Sequence, residues 1–117
     1  MKAIYEGCLF VMNDSLKSKI DVYCYMVSRG KPAAMLAVQD RYIDEAMKQI
    51  TKNNLMLLVE DLCEGWKTVW IYRNAYMEEI IKCLPEEPKT AYEHWVLGKA
   101  FGYSDEVIAE FIRTIKL

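Results

Sequence analysis

Residues 55–73, LMLLVEDLCEGWKTVWIYR, decide the fold. The first half is apolar until its carboxylates, Glu64-Gly65 supplies a turn, and KTVWIYR is rich in β-branched and aromatic residues. This pattern predicts a β-hairpin with strands at 55–62 and 67–73 and a glycine in the loop. Side-chain alternation places Trp66, Thr68, Trp70 and Tyr72 on one side and Lys67, Val69, Ile71 and Arg73 on the other. Upstream, after Gly30-Lys31-Pro32, AAMLAV is a short apolar run between turn signals and reads as a buried strand at 33–39. Together these predict a small three-stranded sheet.

The flanking segments read as helices. Asn13, Asp14 and Ser15 offer N-cap chemistry, and Leu16, Ile20, Tyr23 and Val27 recur at helical spacing until Arg29-Gly30. Ile4, Cys8 and Val11 suggest a short preceding helix, with a strand as the alternative over so few residues. Asp40 is expected to cap a second helix with Ile43, Ala46, Met47 and Ile50 inward, fraying at Lys52-Asn53-Asn54. Asn74 is expected to cap a third, AYMEEIIKCL, that stops at Leu84-Pro85 because proline cannot continue the hydrogen-bond ladder. With a terminal pair, about five helices pack on the sheet. The class is α+β, and 117 residues form one domain, 1–117.

The terminal pair carries the most local signals. Thr90 with Glu93 three residues later is a capping box. Gly102 permits a left-handed C-cap, and Ser104 caps a last helix bearing Ile108, Phe111, Ile112 and Ile115. Leu97, Gly98, Phe101, Gly102, Tyr103, Ile108 and Phe111 have the small and apolar spacing of a helix-turn-helix. Charge opposes DNA reading, because a recognition helix meets DNA with basic and amide groups near its N-terminus. Here that turn is Asp105-Glu106, and Glu110 continues the acidic face.

Apolar residues make up 53% and charged residues 27%, as in an ordinary globular protein, and net charge is −2. No global field therefore draws the chain to nucleic acid or an anionic membrane. No stretch approaches the ~20 apolar residues of a membrane span, and the start lacks a signal-cleavage pattern. A cytoplasmic location is expected. The four cysteines have no C-x-x-C pairing and His94 is the one histidine, so zinc is not expected. The five glycines are isolated and form no phosphate loop, so no cofactor is expected either. His94 has no nucleophile beside it in sequence, and an enzyme is not expected.

Two surfaces are candidates for partner binding: the acidic Asp105, Glu106 and Glu110, and the aromatic Trp66, Trp70 and Tyr72. The aromatic side has two readings. Under helices it is core, as large aromatics on sheets usually are. Left open, it stacks bases or a planar ligand, or anchors a protein. An exposed apolar hairpin edge would also favour a homodimer by strand pairing.

GKPAAMLAV, the hairpin from Cys63-Glu64-Gly65-Trp66 to Trp70-Ile71-Tyr72, and PKTAYEHWVLGKAFGYSDEVIAEFI resemble a group of small proteins encoded by phages and mobile elements of Firmicutes. The resemblance implies a setting in which compact non-enzymatic proteins block a host defence or regulate the element's own genes, and the favoured reading is a protein that binds a host protein, for example an inhibitor of a CRISPR nuclease or other defence enzyme. The alternatives are a DNA-binding regulator using the terminal hairpin and a protein that sequesters a small ligand or nucleotide on the aromatic side.

Overall fold

The computed structural model describes the backbone of residues 2–115 and the side chains of residues 14–115. Along the chain run α1 (Lys2–Ser28), β1 (Ala33–Gln39), a 3-10 turn (Asp40–Tyr42), α2 (Ile43–Lys52), β2 (Met56–Cys63), β3 (Trp66–Tyr72), α3 (Met77–Lys82), α4 (Ala91–Ala100) and α5 (Asp105–Thr114). The fold is α+β, with a three-stranded antiparallel sheet in the order β1-β3-β2.

β3 takes the middle position because both of its sides are apolar. Val69 and Ile71 point to one layer and Trp70 and Tyr72 to the other, and all four are buried. On the aliphatic side they meet Ile20, Cys24 and Val27 of α1, Ala46 and Ile50 of α2, and Leu36 and Val38 of β1. Burying each of the Ile, Leu and Val side chains contributes about 1.5–3 kcal/mol relative to exposure. On the aromatic side a smaller cluster joins Trp70 and Tyr72 to Ala33 of β1 and to Met77 and Ile81 of α3, with Leu58, Leu84 and Phe101 packed around it. The sheet therefore has helices on both faces, and the aromatic side is core at Trp70 and Tyr72.

Helix boundaries differ from expectation at four places. α1 is continuous through Asn13-Asp14-Ser15, so residues 4–11 are not a separate helix. The side chains of Ile4, Cys8 and Val11 lie outside the described residues. Asp40 does not cap α2: its N–H donates to the Gly65 carbonyl at 3.0 Å, tying it to the hairpin turn, and the helix starts three residues later. Asn74 opens a turn through its carbonyl, which accepts from Met77 N–H at 2.9 Å, and α3 is confined to six residues. α2 does not fray at its end. Asn54 takes a left-handed conformation (φ 61°), its N–H reaches Thr51 O and Leu55 N–H reaches Ile50 O, a Schellman closure in which Leu55 covers Ile50.

Candidate functional site

The α4–α5 pair is built from local contacts. Thr90 Oγ1 accepts from Glu93 N–H at 3.1 Å as the expected N-cap, and the Glu93 carboxylate reaches back to accept from the Thr90 hydroxyl and from Lys89 N–H, one residue before the N–H a standard capping box engages. At the other end Gly102 adopts φ 86°, Gly102 N–H reaches Lys99 O and Tyr103 N–H reaches Gly98 O, closing a Schellman motif. Ser104 Oγ then accepts from Val107 N–H at 3.2 Å and starts α5. The helices touch at Gly98, where a Cβ would lie 2.7 Å from Ile108 Cγ1. Only a glycine permits that approach.

Three contacts fix the pair to the body. Phe101 stacks on Trp70 with centroids 5.6 Å apart and planes 12° from parallel. Pro32 lies so close to Gly102 that a Cβ there would sit 2.9 Å from Pro32 Cδ. Lys31 donates to the Phe101 carbonyl and holds its ammonium over the Phe101 and Tyr103 rings, each centroid 5.5 Å away. A cation at the C-terminal carbonyls of α4 also complements the helix dipole. Partial burial lowers the Lys31 pKa below its ordinary value.

The outer surface of α5 is mixed. Ile108 is buried, but Val107 (53% exposed) and Phe111 (51%) face solvent at i and i+4, and Ile115 follows at i+8 with 39% exposure. They form one apolar stripe. The His94 ring lies edge-on to Phe111, with centroids 5.5 Å apart. Acidic groups flank the stripe: Asp105 pairs with Lys99, Glu110 with Arg113 at 2.7 Å, and Glu106 is exposed. The structure thus joins the acidic candidates to exposed apolar neighbours, of which Val107 was not singled out from the sequence.

The aromatic candidates are divided. Trp70 is buried, and its indole N–H donates to Glu60 Oε1 at 2.7 Å. Tyr72 is buried too, and burial, followed by the nearby Glu78 carboxylate, raises its pKa. Both are therefore largely enclosed, although Trp70 borders a cleft, whereas Trp66 is exposed at the strand's start. Trp95 lies under Lys99, and it is Phe101 that stacks on Trp70.

Beside Trp70 the aromatic face is incompletely covered. A cleft of about 460 Å³ opens between the sheet, the end of α3 and α4, with Met35, Ala37, Glu60, Leu62, Lys82 and Leu97 on its walls. AAMLAV predicted a buried strand, and Ala33, Ala34, Leu36 and Val38 are buried, but Met35 and Ala37 are exposed.

Family models, curated proteins and solved structures yield no match to this chain. The candidate surfaces therefore rest on their own chemistry. Among the described residues no group of three or more His, Cys, Asp or Glu is placed to hold a metal ion, and no helix is long and apolar enough to cross a membrane. Cys24 is buried with its thiol pKa raised to about 11 by burial and then by Asp21, while Cys63 and Cys83 are exposed. Cys8 lies outside the described side chains.

Proposed function

We propose that this chain is a non-enzymatic accessory protein of a phage or mobile element that docks on a host protein through the outer surface of α5. The observation that carries the reading is the exposed Val107-Phe111-Ile115 stripe bordered by Asp105, Glu106 and Glu110. An apolar anchor ringed by charge suits a partner surface with an apolar pocket and basic rim, because the anchor supplies affinity and the carboxylates supply steering and register. Basic rims line the substrate channels of nucleic-acid enzymes, which makes a defence nuclease such as a CRISPR effector the favoured target.

The alternative use of α5, reading DNA, is disfavoured by its first turn, since Asp105 and Glu106 would face phosphates. The test uses purified CRISPR effector nucleases, assayed for capture and cleavage with the wild-type chain and with Phe111→Asp. The expected result is capture and inhibition by the wild type, weakened by salt and lost in the variant. Equal behaviour of the two chains would overturn the assignment of α5. A salt-sensitive gel shift with duplex DNA would restore the regulator reading.

A further inference from the structure

We infer that β1 is a self-pairing edge through which two copies of this chain join into one six-stranded sheet. Because β3 is central, β1 and β2 each have a strand on one side only. The two edges are not equivalent.

The direction of the free backbone groups follows from the ladder. Asp40 N–H donates to Gly65 O, in register with the β1–β3 pairing. Hydrogen-bonded pairs alternate with non-bonded ones in an antiparallel ladder, so Val38, Leu36 and Ala34 point their backbone groups at β3. Met35, Ala37 and Gln39 point theirs outward. By the same alternation β3 meets β2 through Thr68, Trp70 and Tyr72, leaving Leu57, Val59 and Asp61 outward on β2.

Natural sheets protect edges with charges and bulges. β2 has both: Glu60 and Asp61 near its end, the latter's carboxylate almost wholly in solvent, and a register shift between Asp61 and Cys63. β1, AAMLAVQ, has no charged residue, no proline and no bulge. Its first residue, Ala33, is buried, and among the described residues no backbone hydrogen bond beyond the β3 ladder reaches Met35, Ala37 or Gln39, so the length available for pairing is 35–39.

The occupant that this edge fits is a second copy. Antiparallel pairing about a two-fold axis at Ala37 sets Ala37 against the second copy's Ala37 and Met35 against the second copy's Gln39. No like charges meet. Met35 is carried toward the second copy's partly exposed Trp66, which lies beside Gln39 in the register. The assembly also closes: its two outer edges are both β2, whose carboxylates and bulge oppose further addition, so a dimer forms rather than a filament. Few apolar side chains enter the contact, and the dimer is therefore of the weak class that dissociates on dilution.

This inference does not depend on the docking role of α5, and sedimentation velocity over a dilution series separates the two. The wild type is expected to move from 13.7 kDa toward twice that mass as concentration rises. Ala37→Pro removes an outward N–H, which an edge strand tolerates, and Ala37→Lys adds an edge charge. Both variants are expected to keep the wild-type circular dichroism and remain monomeric, while Phe111→Asp dimerises like the wild type. A wild type monomeric up to its solubility limit would overturn the inference, as would Ala37→Lys dimerising at wild-type concentrations. Loss of the dimer in Phe111→Asp would assign self-association to α5 instead.

Discussion

In the middle of the sheet Val69 and Ile71 are enclosed between α1, α2 and the neighbouring strands, whereas in α5 Ile108 is buried and Val107 and Phe111 stand in solvent. The sheet gains its order from burial. The terminal pair gains its order from two N-caps, a Schellman turn and one close contact at Gly98. Local hydrogen bonds hold a shape while leaving side chains free, so apolar residues can remain outside without the pair losing its geometry. Under the proposed docking role, the division of labour is stability in the sheet and presentation in the hairpin.

The largest effect that checks this division is at Ile71, which has no exposed surface and contacts the main core. Ile71→Ala is expected to cost about 2–5 kcal/mol in chemical denaturation, with tryptophan fluorescence and far-ultraviolet dichroism changing together. A loss no larger than that of an exposed substitution would mean that the sheet is not the stabilising unit.

Next is Gly98, where the hairpin depends on one contact. A new Cβ would meet Ile108 Cγ1 at 2.7 Å and Cδ1 at 2.9 Å, and overpacking of this kind costs about 1–3 kcal/mol. In an Ile108→Ala background the same Gly98→Ala change is expected to reverse sign, because the clash is gone and alanine favours a helix over glycine by up to about 1 kcal/mol. Additive effects in this double-mutant cycle would show that the helices do not meet as described.

Cys24 tests closure of the main core by pH. Its thiol is raised from 9.0 to about 11 by burial and then by Asp21, so the folded state holds the proton more tightly than the unfolded chain. The associated stability is complete below pH 9 and falls as pH rises through 9 to 11. Cys24→Ala, compared with the wild type in denaturation series across that window, is expected to flatten this part of the profile. At neutral pH a thiol-titrating reagent should label exposed Cys63 and Cys83 readily but reach Cys24 only on unfolding. Rapid labelling of Cys24 in the native state would break the contrast between closed sheet and open hairpin.

Much of this arrangement was legible wherever signals are local. The hairpin strands fell within one residue of 55–62 and 67–73, β1 matched 33–39, and Thr90-Glu93, Gly102 and Ser104 marked the terminal helices. Alternation also separated the two sides of β3 correctly. It did not say how far helices cover the aromatic side, because Phe101 and Met77 reach Trp70 and Tyr72 only through tertiary packing. Asp40 looked like a cap, yet a hydrogen bond to Gly65, distant in sequence, gave it another task. Lys31 carried no sign of its bond to a carbonyl seventy residues away. In α5 the helical spacing of Ile108, Phe111, Ile112 and Ile115 did not say which of them would be covered: Ile108 is buried, whereas Phe111 and Ile115 are exposed.

The smallest expected stability effect is at Phe111, and it discriminates most sharply between packing and presentation. If the ring is a packing residue, an aspartate there should destabilise the chain by as much as a core truncation. Phe111 is half exposed and its described ring contact is the edge-on approach of His94, so Phe111→Asp is expected to change unfolding free energy by no more than about 0.5 kcal/mol. The same variant is expected to abolish nuclease capture, since it removes the apolar centre and leaves only the charged border. Lost binding with retained stability would identify the stripe as a recognition surface. A stability loss above about 1 kcal/mol, beyond what exposed substitutions cause, would instead make the stripe part of the pair's own packing. The exposed side of α5 would then be a consequence of a narrow neighbour and not an adaptation for a partner.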